Sequence, residues 1–454
     1  MRAIEDIQQG IAAYEEQIKQ RKEFETHDFI QYMEPHFVRH GYRTAMPKSP
    51  RNILIIHDAG VGDFINLSPC LRAIRRHYSS AHIVLVLFPR ALALAEACPY
   101  VDEVIPNMRQ CNWNDFLSLY EWNRDFCAKL LPYHFDLAFV FPHYGSAVQL
   151  AYLSGAKERV GYDISRVRKS TLWHGCISYD VVVPFLNRTV PYRSENVHAT
   201  DRYLGVLDAF WGQKVKARET EAWCCPEDIE VAEEILSDWL AERYPIYAVV
   251  MGGEAACKRW PPENYAQLIR SLQADYPALH FVLLGGGAMD EQEAQRFLQA
   301  YGGLQGRADA IRNLVGKLTY CESAAVMDKC EAYIGNDTGN MHLAAALDKP
   351  VLTPLCYAAE FPIGPDDMPS VFGVRNVPAV FVQPAKALSD CRSKNSLMGC
   401  CHTAEVHCIG QIKVQAMRKG FDFLRECCNR GKNGLACLNQ EELLGYGNRG
   451  AVKE

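Results

Sequence analysis

The chain has 454 residues, too many for one ordinary hydrophobic core, so two domains with appendages are expected. Its composition, 48% hydrophobic and 22% charged with no low-complexity block, is that of a globular protein. The formal net charge of -6 is spread through the chain, which argues against a nucleic-acid binder with its clustered basic excess.

The opening Met1 to Asp6 has no apolar signal core, and the longest apolar runs, Ile83 to Phe88 and Tyr247 to Met251, fall far short of a membrane span. A cytoplasmic protein is expected, either free or peripheral at the inner face of the cytoplasmic membrane. Eighteen cysteines would suggest a disulfide framework in a short secreted chain, but not in a long one without an export signal. Cys70, Cys98 and Cys330 sit in apolar patterns and read as buried small hydrophobes.

In residues 1–50, Ile4, Ile7, Ile11, Tyr14 and Ile18 share one helical stripe, packed on the body of the protein or paired with another subunit in a homo-oligomer. A rhythm of strands and helices follows. Asn52 to Ile56 is a buried-strand run, then come a glycine turn and a helix from about Ser68 to Tyr78. The strand Ile83 to Phe88 precedes a helix ending near Cys98-Pro99, and the strand Asp136 to Phe141 precedes a helix from Val148 to Ser154. Residues 200–244 carry two helical patterns divided by Cys224-Cys225-Pro226. The rhythm restarts with the strand Tyr247 to Met251, a helix Asn264 to Tyr276 and the strand His280 to Leu284. It ends with helix Ala324 to Lys329, strand Ala332 to Ile334, helix Asn340 to Leu347 and strand Val351 to Leu355. Such alternation indicates an α/β fold of parallel sheets covered on both faces. The expected division is a helical extension (1–50), a first doubly wound domain (51–215), a crossing (216–245), a second doubly wound domain (246–385) and a cysteine-rich tail (386–454). Two such domains in tandem place a ligand cleft at the carboxyl ends of their strands.

Three loops could carry chemistry. After the first strand, Asp58-Ala59-Gly60-Val61-Gly62-Asp63 puts glycines at a strand-to-helix turn. The spacing is not the dinucleotide G-x-G-x-x-G, so a nicotinamide oxidoreductase is disfavoured. Asp63 could remove a proton from a hydroxyl or simply serve a turn or helix cap. The second loop, Met251-Gly252-Gly253 leading to Lys258-Arg259-Trp260-Pro261, joins a glycine turn to two cations and suits a diphosphate. In the third, Gly335-Asn336-Asp337-Thr338-Gly339 opens a helix whose unpaired N–H groups and dipole favour phosphate oxygens. Thr338 adds a hydroxyl, and His342 falls on the first helical turn.

These segments resemble glycosyltransferase family 9, the heptosyltransferases of bacterial lipopolysaccharide core. The resemblance is carried by Ile53 to Ile56 with Gly62-Asp63 and Ser68 to Arg72, by Pro99 to Ile105, by Lys258 to Pro261 with Tyr265, and most specifically by Gly335 to Pro350. Weaker echoes are Phe135-Asp136-Leu137 and Gly155-Ala156 with Arg159 to Tyr162. It spans about residues 50–385. It implies a GT-B architecture of two Rossmann-like domains and an inverting, metal-independent transfer of a sugar, with no cofactor. The donor it implies is a nucleoside diphosphate sugar, ADP-heptose by default, and the acceptor a surface saccharide or glycolipid.

On that resemblance Asp63 is the base and Lys258 neutralises the leaving diphosphate. Gly62, Gly253, Thr338 and Gly339 line the donor with the neighbouring groups of Asn340 and Met341, while Asp337 and His342 hold the loop and the nucleotide side. Some members place an acid just after the second domain's glycine turn. Here Gly285-Gly286-Gly287 leads to Asp290 only after two more residues, so that acid is displaced or absent. Arg72, Arg109 and Arg166 are candidates to meet an anionic acceptor, with Arg75, Arg76, Arg168 and Lys169 nearby in sequence; singly, each also reads as a solvated charge. The tail cysteines Cys391, Cys400, Cys401, Cys408, Cys427, Cys428 and Cys437, with His402 and His407, contain no C-x-x-C pair and read as reduced structural residues rather than a metal site. Two other functions share these features: a protein O-heptosyltransferase of the same fold, and a non-catalytic nucleotide-sugar-binding module.

Overall fold

The computed structural model describes residues 49–57, 59–108, 116–141, 145–163, 186–191, 197–253, 255–356, 373–385, 408–431 and 434–445. The stripe from Ile4 to Ile18, Arg109, the Arg166 to Lys169 run, and Cys391, Cys400, Cys401, His402 and His407 lie outside them. The chain divides into two compact units. The first takes residues up to Gly60 with Leu67–Ser194 and Thr200–Arg218; the second takes Val61–Asn66, Glu195–Ala199 and everything from Glu219.

The first unit is built on β1 (Asn52–His57), β2 (His82–Leu87), β3 (Glu103–Pro106), β4 (Leu137–Val140), β5 (Glu158–Asp163) and β6 (Arg188–Pro191). They form one sheet in the order β3-β2-β1-β4-β5-β6, every pairing parallel. Parallel strands are covered on both faces, so β1 reads as an unbroken apolar run: Ile53, Leu54 and Ile55 are all 0% exposed. Each such side chain contributes roughly 1.5–3 kcal/mol by leaving water. The order is that of dinucleotide-binding folds, reversing direction between β1 and β4. Helices α1 (Val61–His77), α2 (Leu92–Glu96), α3 (Phe116–Cys127), α4 (Gly145–Leu153) and α5 (Ala199–Trp211) accompany it.

Helix α1 starts seven residues before the expected Ser68. Ser68-Pro69 imitates a cap followed by a first-turn proline, yet the helix runs through it with Pro69 inside. Gly62 and Asp63 therefore lie in the first helical turn, not in a loop. Cys70, Cys98 and Cys330 are buried as expected, and burial pushes the Cys70 thiol well above its ordinary value. Arg159, in one of the weaker motifs, is a core side chain. Its guanidinium donates to the Ala156 carbonyl at 2.6 Å and lies 5.4 Å from the Tyr152 ring centre, and burial lowers its pKa to about 10.

The second unit repeats the plan. Strands β7 (Ile246–Val250), β8 (His280–Leu283), β9 (Ile311–Asn313), β10 (Ala332–Gly335), β11 (Val351–Pro354), β12 (Pro378–Gln383) and β13 (Gly434–Asn439) form a parallel sheet ordered β13-β12-β11-β10-β7-β8-β9. Direction reverses between β7 and β10, the counterpart of β1 and β4. Its helices are α6 (Pro226–Ala241), α7 (Pro262–Asp275), α8 (Ala288–Gly303), α9 (Tyr320–Asp328), α10 (Gly339–Ala346), α11 (Val414–Asn429) and α12 (Gln440–Gly445). No helix among the described residues is long and apolar enough to cross a membrane.

Here the C-terminal expectation is corrected. The chain does not lose its alternation after residue 385. Strand β13 pairs with β12 from Pro378↔Gly434 to Gln383↔Asn439, and α11 covers the sheet. Ala416, Met417, Phe421 and Leu424 form the buried stripe of α11. Gly420 lets the helix close on the strands, since a Cβ there would lie 3.0 Å from Leu352 Cδ1 and 3.1 Å from Val382 Cγ2. Of the tail cysteines, Cys408 is buried in a short turn, Cys427 and Cys428 end α11, and Cys437 lies on β13.

Candidate functional site

The second unit's reversal point lies between β7 and β10, where crevices form beyond the strand ends in open α/β sheets. Three sequence-predicted segments converge there: the turn after β7 (Met251 to Trp260), the turn after β8 (Gly285 to Asp290) and the turn after β10 (Asn336 to Gly339). The first turn of α1 joins them, because Val61–Asn66 groups with this unit.

Two glycines make that junction possible. A Cβ on Gly62 would lie 2.6 Å from Cδ2 of His342, so the imidazole lies against the glycine. A Cβ on Gly339 would lie 3.0 Å from Val61 Cβ and 3.3 Å from the Gly62 amide nitrogen. The first turns of α1 and α10 thus meet. The first-turn N–H groups of a helix have no partner within the helix, and its dipole is positive at that end, so the junction favours an anion.

Charge is concentrated around it. Lys258, at the end of a short 3-10 turn, donates to Asp337 Oδ2 at 2.9 Å, with both side chains largely buried. Burial alone would raise the Asp337 carboxyl, but Lys258, by its charge and its hydrogen bond, and His342 outweigh it and hold the acid below its ordinary range. For His342, burial dominates and lowers the pKa, against the pull of Asp337 and Asp63 and with the help of Lys258. That shift favours the neutral imidazole. Asp63 itself occupies the first turn of α1, half-buried; the N-cap residue there is Gly60, which has no side chain to cap the helix.

Thr338 sits at the N-cap position of α10 in extended conformation, without a side-chain capping bond, and Gly253, at φ +155, brings the β7 turn against it: a Cβ there would lie 3.3 Å from Thr338 Cγ2. Asn340 is half-buried at the helix start. Met341 is different. Its side chain is fully buried, so only its backbone can face a ligand.

The acid after the β8 turn is not absent. Asp290 stands in the first turn of α8 and folds back to accept the Gly286 N–H at 2.9 Å. Its carboxylate lies so close to Gly252 and Gly285 that neither position has room for a Cβ. Burial raises the Asp290 carboxyl, partly offset by the Gly286 N–H and by Arg259. Counting residues from the glycines hid this, because a helical first turn brings its third residue back over the loop. Sequence reasoning also gave Asn336 no role, although it is fully buried within the loop.

The acceptor-side arginines are not gathered by the described residues. Arg72 is buried in α1, at 8% exposure. Arg75 is structural: it donates to the Tyr100 carbonyl at 3.1 Å and the Ala81 carbonyl at 2.8 Å and pairs with Asp102. Arg109 and Arg166 lie outside the described residues.

Comparison with known proteins agrees with the fold. The family model of glycosyltransferase family 9 (heptosyltransferase) matches residues 124–359. The lipopolysaccharide heptosyltransferase 2 of Salmonella typhimurium is 25% identical over 314 residues, which are 66% of this chain and 81% of that protein. Among solved structures, a family 9 glycosyl transferase from Veillonella parvula superposes with a TM-score of 0.63 at 19% identity, over 84% of this chain and 98% of its own. The E. coli ADP-heptose lipopolysaccharide heptosyltransferase II does so with a TM-score of 0.60 at 19% identity, over 83% and 99%. The shared fold is the GT-B arrangement of two doubly wound units. With the family model covering more than half its length, this chain belongs to glycosyltransferase family 9, the heptosyltransferases.

Proposed function

We propose that this glycosyltransferase transfers heptose from ADP-heptose to a saccharide of lipopolysaccharide core, with inversion at the anomeric carbon and without a metal. The observation that carries the reading is the meeting of the α1 and α10 first turns at Gly62 and Gly339, beside the Lys258–Asp337 pair. That junction supplies positive charge at fixed positions for a diphosphate.

The chemistry follows from the charges. Asp63 takes the proton from the acceptor hydroxyl as its oxygen attacks the anomeric carbon. The new C–O bond forms while the bond from that carbon to the phosphate oxygen breaks, and the electron pair leaves with the nucleoside diphosphate. The helix N–H groups and Lys258 stabilise the negative charge that develops on the leaving group. Asp337 aims the Lys258 amine, and His342 packs the α1 turn onto α10. The relatives' names supply the donor and acceptor: heptose, and the lipopolysaccharide on which they act. Arg109 and Arg166 are assigned to the anionic acceptor.

The test is an initial-rate assay with ADP-heptose and delipidated core acceptor. Asp63→Asn should lower kcat by about 10³-fold, within the range for loss of a positioned base, with the circular dichroism spectrum unchanged. An unmodified chain that consumes no ADP-heptose, or an Asp63→Asn variant with full turnover, would sink the proposal.

A further inference from the structure

Asn336 is the most heavily bonded side chain of the loop after β10. It is 0% exposed. Its amide nitrogen donates to the carbonyls of Met251 and of Gly252, the latter at 3.1 Å. Its amide oxygen accepts the Trp260 N–H at 3.1 Å and the Tyr265 hydroxyl at 2.7 Å. The orientation is fixed by chemistry, since carbonyls can only accept and a backbone N–H can only donate. Both donors and both lone pairs of the amide are used.

The partners are not arbitrary. Met251 and Gly252 begin the turn that carries Gly253, and Trp260 follows Lys258 by two residues. Asn336 itself precedes Asp337, the partner of the Lys258 amine. Its own backbone is held as well, by an N–H bond to the Val250 carbonyl at 3.0 Å and by the Tyr333 hydroxyl on its carbonyl at 2.7 Å. One side chain therefore sets the spacing of the glycine turn, the lysine and the acid. Aspartate has the same shape but would oppose the Met251 and Gly252 oxygens with a third oxygen.

We propose that Asn336 is a positioning residue for the donor: it touches no substrate and keeps the Gly252–Gly253 turn and the Lys258–Asp337 pair in register for the diphosphate. This rests on the donor-site reading given above.

The experiment uses the full chain and two variants, Asn336→Asp and Tyr265→Phe. Initial rates with ADP-heptose and core acceptor are measured with calorimetric binding of ADP, from about pH 5 to about pH 8. For Asn336→Asp at the alkaline end, donor kcat/KM and ADP affinity should fall by roughly 30- to 100-fold, the cost of setting oxygen against buried carbonyls, while acceptor KM moves less than about 3-fold. Part of the loss should return toward acid, where the introduced carboxyl gains a proton and can donate to one carbonyl. Tyr265→Phe removes a single bond and should cost about 3- to 10-fold in the same two quantities.

The inference is overturned if folded Asn336→Asp keeps wild-type donor constants and ADP affinity. It is equally overturned if donor and acceptor constants fall together with no recovery toward acid. Should that variant fail to fold, Tyr265→Phe decides, and unchanged donor constants and ADP affinity would refute it. A wild-type chain that neither consumes ADP-heptose nor binds ADP removes the donor-site reading itself. Wild-type binding with unaffected variants removes only the role of Asn336.

Discussion

In the first unit, charged side chains around the sheet are largely spent on one another. Arg75 pairs with Asp102, Lys157 with Asp136 at 2.7 Å, and buried Glu158 with Arg188 at 2.6 Å. In the second unit, built on the same strand order, the charges at the reversal point converge on one place: Lys258 and Asp337, with His342 and Asp63 acting on the same group of residues. The difference lies in the loops. Gly252 after β7 and Gly285 after β8 let the Asp290 carboxylate approach too closely for a Cβ, Gly339 after β10 sits in tight contact with Val61, and a buried amide fixes the spacing. Topology offers a rim in both units, and loop chemistry decides which rim is proposed to take a phosphate.

The contrast can be broken most sharply at Lys258. Lys258→Ala should reduce kcat by about 10²- to 10³-fold, the cost of losing one fixed positive group at a developing charge. Turnover within a few-fold of the unmodified chain would mean that the second unit's ion pair is as structural as those of the first.

A smaller effect should appear in pH. The unfolded His342 titrates near about 6.5, whereas in the folded chain burial holds it lower. Between those values the unfolded state binds more protons, so unfolding free energy falls as pH drops below about 6.5 and levels off below the folded value. Urea titrations from about pH 7.5 to about pH 5 should show that slope, and His342→Gln should flatten it. An unchanged slope would place the imidazole in water.

The smallest effect is expected in the first unit. Arg75→Ala should cost about 1 kcal/mol in denaturant unfolding, because its pair with Asp102 is partly solvated, and should leave kcat unchanged. A large loss of turnover would show that these first-unit pairs also serve the reaction.

Much of this architecture was legible in sequence because buried parallel strands are continuous apolar runs. Asn52 to Ile56, His280 to Leu284 and Val351 to Leu355 come within a residue or so of the observed strands. Local signals failed where two of them competed. Ser68-Pro69 imitated a helix start inside α1, and the modest Gly434–Asn439 strand gave no alternation to read. In the candidate site, Lys258, Asp337 and the glycines could be picked out singly by residue type and turn position, but the pairing of the two charges, 79 residues apart in sequence, could not. Nor could the roles of Asn336 and Asp290. Asn336 draws its side-chain partners from 71 to 85 residues away, and Asp290 acts by folding back over its own loop. Neither arrangement leaves a periodic trace.

The Trp260 indole donates to the carbonyl of Ile412 at 3.0 Å, across 152 residues of chain. The segment that follows Lys258 is thus anchored to a residue made much later, just before α11. During synthesis the strands β7 to β11 emerge with this anchor missing. The proposed donor site is therefore expected to mature only once Ile412 is in place, so a nascent or C-terminally clipped chain would hold much of its core before this anchor forms.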